Sequence, residues 1–113
     1  MGKYTVIKKL EVAGSHCLDH LPYKSKCKNV HGHNWIITVT CQCDEAEINP
    51  QTLMVIDFTE IKRIVMAMDH THLNDSIERP TAEHIAKHIC ETVPYCIKVE
   101  VEESKGNLAI YEK

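Results

Sequence analysis

The sequence predicts an α+β fold, a four-stranded antiparallel sheet with two helices on one face. Three observations predict it. Residues 4–16 and 31–43 alternate with a period of two. Residues 59–68 and 81–93 repeat their apolar positions at helical spacing. A Gly106-Asn107 pair then separates two further alternating runs. The order is strand, strand, helix, helix, strand, strand, so two hairpins flank a helical pair. The 113 residues suffice for one domain, 1–113, and hold no internal repeat or low-complexity segment.

Each element has its own warrant. In the first strand the even positions Tyr4, Val6, Leu10, Val12, Gly14 and His16 form a stripe interrupted by Lys8, with a bend or bulge expected near Ala13-Gly14. Residues 17–30 carry Pro22 and several lysines and read as a loop. The second strand puts His31, His33, Trp35, Ile37, Val39, Cys41 and Cys43 on one face. The two strands can pair antiparallel, with the loop between them as a long lid. Asn49-Pro50 marks a turn, and residues 54–57 are expected to be a short extended piece. Ile61, Ile64, Val65 and Met68 define the first helix, capped by Asp57 or Thr59. Residues 69–79 form a polar connection. Thr81 caps the second helix, whose apolar face is Ala82, Ile85, Ala86, Ile89 and Val93, and Pro94 ends it. Ile97, Val99 and Val101 alternate with Lys98, Glu100 and Glu102, and residues 108–111 return after the turn. So small a sheet leaves two open edges, which oligomerisation would cover, so a homo-oligomer is expected.

Composition narrows the function. A net charge of −3, from 13 basic and 16 acidic residues, lacks the basic footprint that nucleic acids and anionic membranes demand. No apolar run approaches the roughly 18 residues of a membrane span. The first residues show no apolar leader core, so a cytoplasmic protein with its six cysteines reduced is expected. Eight histidines are an excess for this length and direct attention to metal and proton chemistry.

His31 and His33 lie two apart on a strand and share a face, so both imidazoles can converge on one ion. His16 ends the neighbouring strand with the parity of its apolar stripe and is the candidate third ligand. Three histidines leave a tetrahedral Zn²⁺ one open position, the arrangement of catalytic zinc. Surface or hydrogen-bonded core histidines can show the same spacing, so spacing alone leaves metal binding open. Cys27 lies among Lys24, Lys26 and Lys28, and flanking ammonium groups or a nearby cation favour its thiolate, a competent base or nucleophile. It can equally be a loop cysteine or a fourth zinc ligand. Asp69-His70 can form a proton relay, or His70 or His72 can simply meet the last carbonyls of a helix. Glu103 shares the parity of Val99 and Val101, and a carboxylate so placed calls for a partner such as two parallel N–H donors, unless the strand end frays into water.

Together these residues resemble the 6-pyruvoyltetrahydropterin synthase and 6-carboxytetrahydropterin synthase family. Residues 27–33 are similar to its C-x-x-x-H-G-H motif, Met54-Val55-Ile56-Asp57-Phe58 with Lys62 to its M-V-x-D-F-x-x-x-K segment, and residues 69–75 to its D-H-x-x-L-N-D segment. Pro80-Thr81-Ala82-Glu83 resembles the start of its second helix, and Glu103-Ser104 its Glu-Thr pterin anchor. The sequence departs from the pattern at Leu10 and Val12 (usually aromatic), Leu53 (usually Gly) and Ser104 (usually Thr). The resemblance implies a T-fold whose protomers assemble into trimeric barrels, two stacked as a hexamer, with active sites at subunit interfaces. It implies Zn²⁺ on His16, His31 and His33, Glu103 and Thr81 as substrate-binding residues, and Cys27, Asp69 and His70 as catalytic ones. The implied substrate is 7,8-dihydroneopterin triphosphate, and the implied reaction is that of a lyase. In the carboxy branch, which serves queuosine biosynthesis and which the short chain favours, triphosphate and acetaldehyde leave and 6-carboxy-5,6,7,8-tetrahydropterin remains. The alternatives are 6-pyruvoyltetrahydropterin synthase and a non-catalytic zinc or pterin-binding module. A third relative, which makes a hydroxymethyl pterin, carries glutamate where Cys27 stands.

Overall fold

A computed structural model describes all residues, 1–113. Strand β1 (Lys3–His16) and strand β2 (His31–Asp44) pair antiparallel along their whole length, from Lys3 opposite Asp44 to His16 opposite His31. Each strand has 14 residues, and at about 3.3 Å per residue this hairpin sets the long axis of a 52 × 24 × 23 Å molecule. Helix α1 (Phe58–Met66) and helix α2 (Ala82–Thr92) follow, then strands β4 (Cys96–Ser104) and β5 (Asn107–Glu112), joined by a turn in which Gly106 takes φ +89°.

The sheet has five strands rather than four, because a short strand β3 (Thr71–His72) joins it, and the order is β3-β1-β2-β4-β5. The added β3 runs parallel to β1 beside Gly14 and Ser15. Two residues are too few to show alternation, so the segment reads as a connection in the sequence. The bulge expected near Ala13-Gly14 is absent, since the β1–β2 register runs unbroken through it. Gly14 instead makes room for the Leu73 side chain, 3.2 Å from where a Cβ would stand. Register shifts fall at Thr40/Cys41 and at Glu102/Ser104. Residues 54–57 form no strand.

One face of the sheet carries the core. Val12, Trp35, Ile37, Val39, Val99 and Val101 are buried there under Ile61 and Val65 of α1 and Ile85, Ala86 and Ile89 of α2. Each large side chain so buried contributes about 1.5–3 kcal/mol. The Asp57 carboxylate caps α1 by accepting from the Thr59 N–H at 2.8 Å, and the Thr81 hydroxyl caps α2 by accepting from the His84 N–H at 3.1 Å. All six cysteines are free thiols. Cys41, Cys43, Cys90 and Cys96 are buried, and burial pushes the Cys90 thiol up to about 12, so it stays protonated at neutral pH. No helix is long and apolar enough to cross a membrane.

Candidate metal centre

The antiparallel register brings His16 opposite His31 and Gly14 opposite His33 at one end of the sheet. Alternation turns all three imidazoles to the core face, beside Trp35. Their ring centroids lie 4.5 Å (His16–His31), 5.3 Å (His16–His33) and 5.0 Å (His31–His33) apart. One nitrogen from each falls within 4.8 Å of the others.

Hydrogen bonds orient the rings. His16 Nδ1 lies 2.8 Å from the Pro80 carbonyl, and His31 Nδ1 lies 2.7 Å from the Asn29 carbonyl. A carbonyl only accepts, so both Nδ1 atoms carry the proton and both Nε2 atoms present lone pairs. His16 is fully buried, and its Nε2, like that of His33, has no hydrogen-bond partner. Burial lowers the proton affinity of His16, the Pro80 carbonyl and Glu103 oppose that shift, and His31 and His33 add to it. A neutral His16 is therefore the ground form at neutral pH. Leaving such nitrogens dry and unpaired costs about 1–3 kcal/mol each, which a divalent cation would offset. Three imidazoles that bring one nitrogen each to a common point are a donor set suited to zinc.

The Glu103 carboxylate lies 3.7 Å from His33 Nε2, too far for a hydrogen bond but close enough to face the centre. It also lines a cavity of about 610 Å³ with Leu21, Tyr23, Cys27, Thr81 and Leu108. Cys27 sits in the short turn Lys26–Lys28, where its N–H donates to the Ser25 hydroxyl and its carbonyl accepts from the Leu18 N–H. Cys27, Thr81 and Glu103 thus meet in one cavity beside the histidines.

Asp69 and His70 do not reach it. His70 lines a different, open cavity of about 540 Å³ together with Ala13, Gly14, Ser15, His33, Asn34 and His72. There the Asp69 carboxylate accepts from the Ala13 N–H at 2.9 Å and from His70 Nδ1 at 2.8 Å. These bonds hold Asp69 below the usual carboxylate range. His70 takes φ 58°, a left-handed conformation uncommon outside glycine and asparagine, and its ring projects into solvent. Its Nδ1 proton is held by Asp69, so its Nε2 is offered outward to accept or return a proton.

Sequence reasoning missed the two carbonyls that orient the ligands. Those of Pro80 and Asn29 are main-chain groups, for which side-chain identity carries no signal. Tyr23 and Leu21, which line the cavity, lie in a loop without periodicity.

The family model described as 6-pyruvoyl tetrahydropterin synthase matches residues 5–113. A protein of Archaeoglobus fulgidus named "Putative 6-carboxy-5,6,7,8-tetrahydropterin synthase" is 41% identical over 73 residues, 61% of this chain and 60% of that protein. A Pyrococcus horikoshii protein of the same name is 42% identical over 60 residues, 53% of this chain and 35% of that one. The human 6-pyruvoyl tetrahydrobiopterin synthase is 28% identical over 112 residues, covering 83% of this chain and 75% of its own. The chain thus spans 60% and 35% of the length of the two archaeal relatives. Among solved structures, the Caenorhabditis elegans 6-pyruvoyl tetrahydropterin synthase superposes with a TM-score of 0.75 over 100% of this chain and 97% of its own, at 24% identity, a likeness of fold.

Proposed function

Because the chain belongs to the 6-pyruvoyl tetrahydropterin synthase family, we propose that it is a zinc-dependent lyase acting on 7,8-dihydroneopterin triphosphate. The product in this reading is 6-carboxy-5,6,7,8-tetrahydropterin, with loss of triphosphate and acetaldehyde, a step of queuosine biosynthesis. The observation that carries the proposal is the convergence of one nitrogen from each of three imidazoles beside a cavity lined by Cys27, Thr81 and Glu103. The archaeal relatives, more similar in sequence than the human protein, favour the carboxy product over the pyruvoyl one.

In this reading His16, His31 and His33 hold Zn²⁺, which when bound supplies Lewis-acid polarisation of the substrate side-chain oxygens. Glu103 accepts two parallel N–H donors from the aminopyrimidinone edge, an arrangement a carboxylate matches well. Thr81 lines the same wall, and its hydroxyl is already engaged as the cap of α2, which fixes its place. Cys27 moves a proton at its Sγ, and His70, held by Asp69, moves another at its Nε2. Since His70 and Cys27 line different cavities of one protomer, a second protomer completes the full set in this reading, in keeping with an oligomer.

Product analysis tests the proposal. Incubation of the zinc-loaded protein with 7,8-dihydroneopterin triphosphate is expected to release acetaldehyde and leave the carboxy product. A pyruvoyl product would overturn the branch, and no turnover would overturn the activity. Cys27→Ala is expected to retain zinc and lower turnover by about 10²–10⁴, the usual weight of a proton-transfer group.

A further inference from the structure

Asn74 belongs to the Leu73-Asn74-Asp75 turn after β3 and takes no part in the chemistry described above. Its side-chain amide brackets the backbone of Cys17. Oδ1 accepts from the Cys17 N–H at 2.9 Å, and Nδ2 donates to the Cys17 carbonyl at 2.9 Å. Cys17 is the first residue past the end of β1, where ladder pairing with β2 stops at His16 opposite His31. The amide therefore supplies the two bonds that a neighbouring strand would have supplied, continuing the edge that β3 begins beside Gly14 and Ser15. Immediately before this bracket stands His16. Immediately after it, the Leu18 N–H donates to the Cys27 carbonyl at 2.8 Å. Pro80, six residues beyond Asn74 and just before α2, places its carbonyl against His16 Nδ1.

We infer that Asn74 is the positioning residue that sets His16 and Cys27 at their fixed separation, by holding the peptide that lies between them in both directions. The inference rests on the zinc reading of the three histidines. Its chemical logic is the pairing of one acceptor and one donor on a single planar group. A primary amide offers both side by side, and aspartate keeps the acceptor but loses the donor. Freed of the bracket, residue 17 would leave the strand edge. The backbone of His16 would then be held from one side only, and the loop bearing Cys27 would lose its anchor.

The test uses Co²⁺ and Zn²⁺ alone as probes on the full chain. Asn74→Asp is near in shape and lacks one bond; Asn74→Leu lacks both. Co²⁺ affinity is expected to fall about tenfold or more in Asn74→Leu, within the 10–100-fold range for outer partners of metal ligands, with a changed visible absorption band. Asn74→Asp is expected to fall between it and the parent. Mapped alkylation of Cys27 in the metal-free protein is expected to be at least about threefold faster in both, because an unanchored loop samples exposed conformations. Ile89→Val, a core change remote from the histidines, is expected to lower thermal stability without moving either readout. Unchanged Co²⁺ affinity, spectrum and Cys27 alkylation in Asn74→Asp would overturn the inference, and this variant decides the matter if Asn74→Leu does not fold. Should the parent chain bind neither metal, the zinc reading fails by itself, while the alkylation comparison still upholds or overturns the anchoring role.

Discussion

The chemistry of the centre is set by which nitrogen of each histidine carries the proton. Main-chain carbonyls take the Nδ1 protons of His16 and His31, so the Nε2 lone pairs are free without any charged neighbour having to arrange it. His31→Ala is expected to weaken Zn²⁺ binding by more than the roughly 10–100-fold that loss of an outer partner costs, read by chelator competition. Parent-level affinity in that variant would remove His31 from the ligand set. Affinity should also fall with pH, because protons compete for the same Nε2 atoms, and the lowered proton affinity of His16 keeps that ligand available through neutrality. Much of this was legible in the sequence. Parity alone placed His16, His31 and His33 on one face, and parity placed Glu103 on the side of Val99 and Val101. The register shift at Glu102/Ser104, which leaves Glu103 only half-buried at the strand end beside His33, had no sequence signature.

The elements that were long and periodic were read correctly because their periods follow from burying one face. The β1–β2 hairpin and the two capped helices are of this kind. What was lost at this scale was short or non-periodic: β3, two residues held beside β1, and residues 54–57, whose apolar side chains suggested an extended piece that the backbone does not form. Helix α1 is only nine residues long, so its start depends on its cap and on packing against β1. Asp57→Ala removes the bond to the Thr59 N–H and is expected to lower the midpoint of denaturant unfolding. Because Asp57 lies away from the cavities of Cys27 and of His70, zinc affinity should be unchanged. A loss of metal in that variant would show that α1 reaches the centre in a way the contacts of the fold do not provide.

At the scale of the whole molecule, the sheet ends in two unlike edges. One is the stretch of β1 beyond β3, the other is β5, and Tyr4, Ile7, Leu108 and Ile110 are exposed along them. The four long strands alternate in direction, so β5 of one copy can extend β1 of the next antiparallel, a head-to-tail contact of the kind that builds a ring when its rotation closes. Such a ring, trimeric or stacked as two trimers, would also unite the two half-sites that one protomer keeps apart. Cys27→Ala chains and His70→Ala chains are each expected to turn over poorly alone, and mixing them is expected to restore part of the activity after subunit exchange. A mixture as inactive as its components would mean that each protomer works with its own Cys27 and His70. The sequence could suggest open edges through its small strand count, but not which face of the sheet His70 occupies, since that depends on β3 and on the left-handed turn preceding it.

One zinc ion on His16, His31 and His33 is what links this fold to the proposed reaction. Anomalous diffraction at the zinc edge from zinc-loaded crystals tests it most directly. The expected result is a single strong peak per protomer at about 2.0–2.1 Å from the Nε2 atoms of all three histidines. A peak elsewhere, or none with the three rings as close as they stand here, would contradict it.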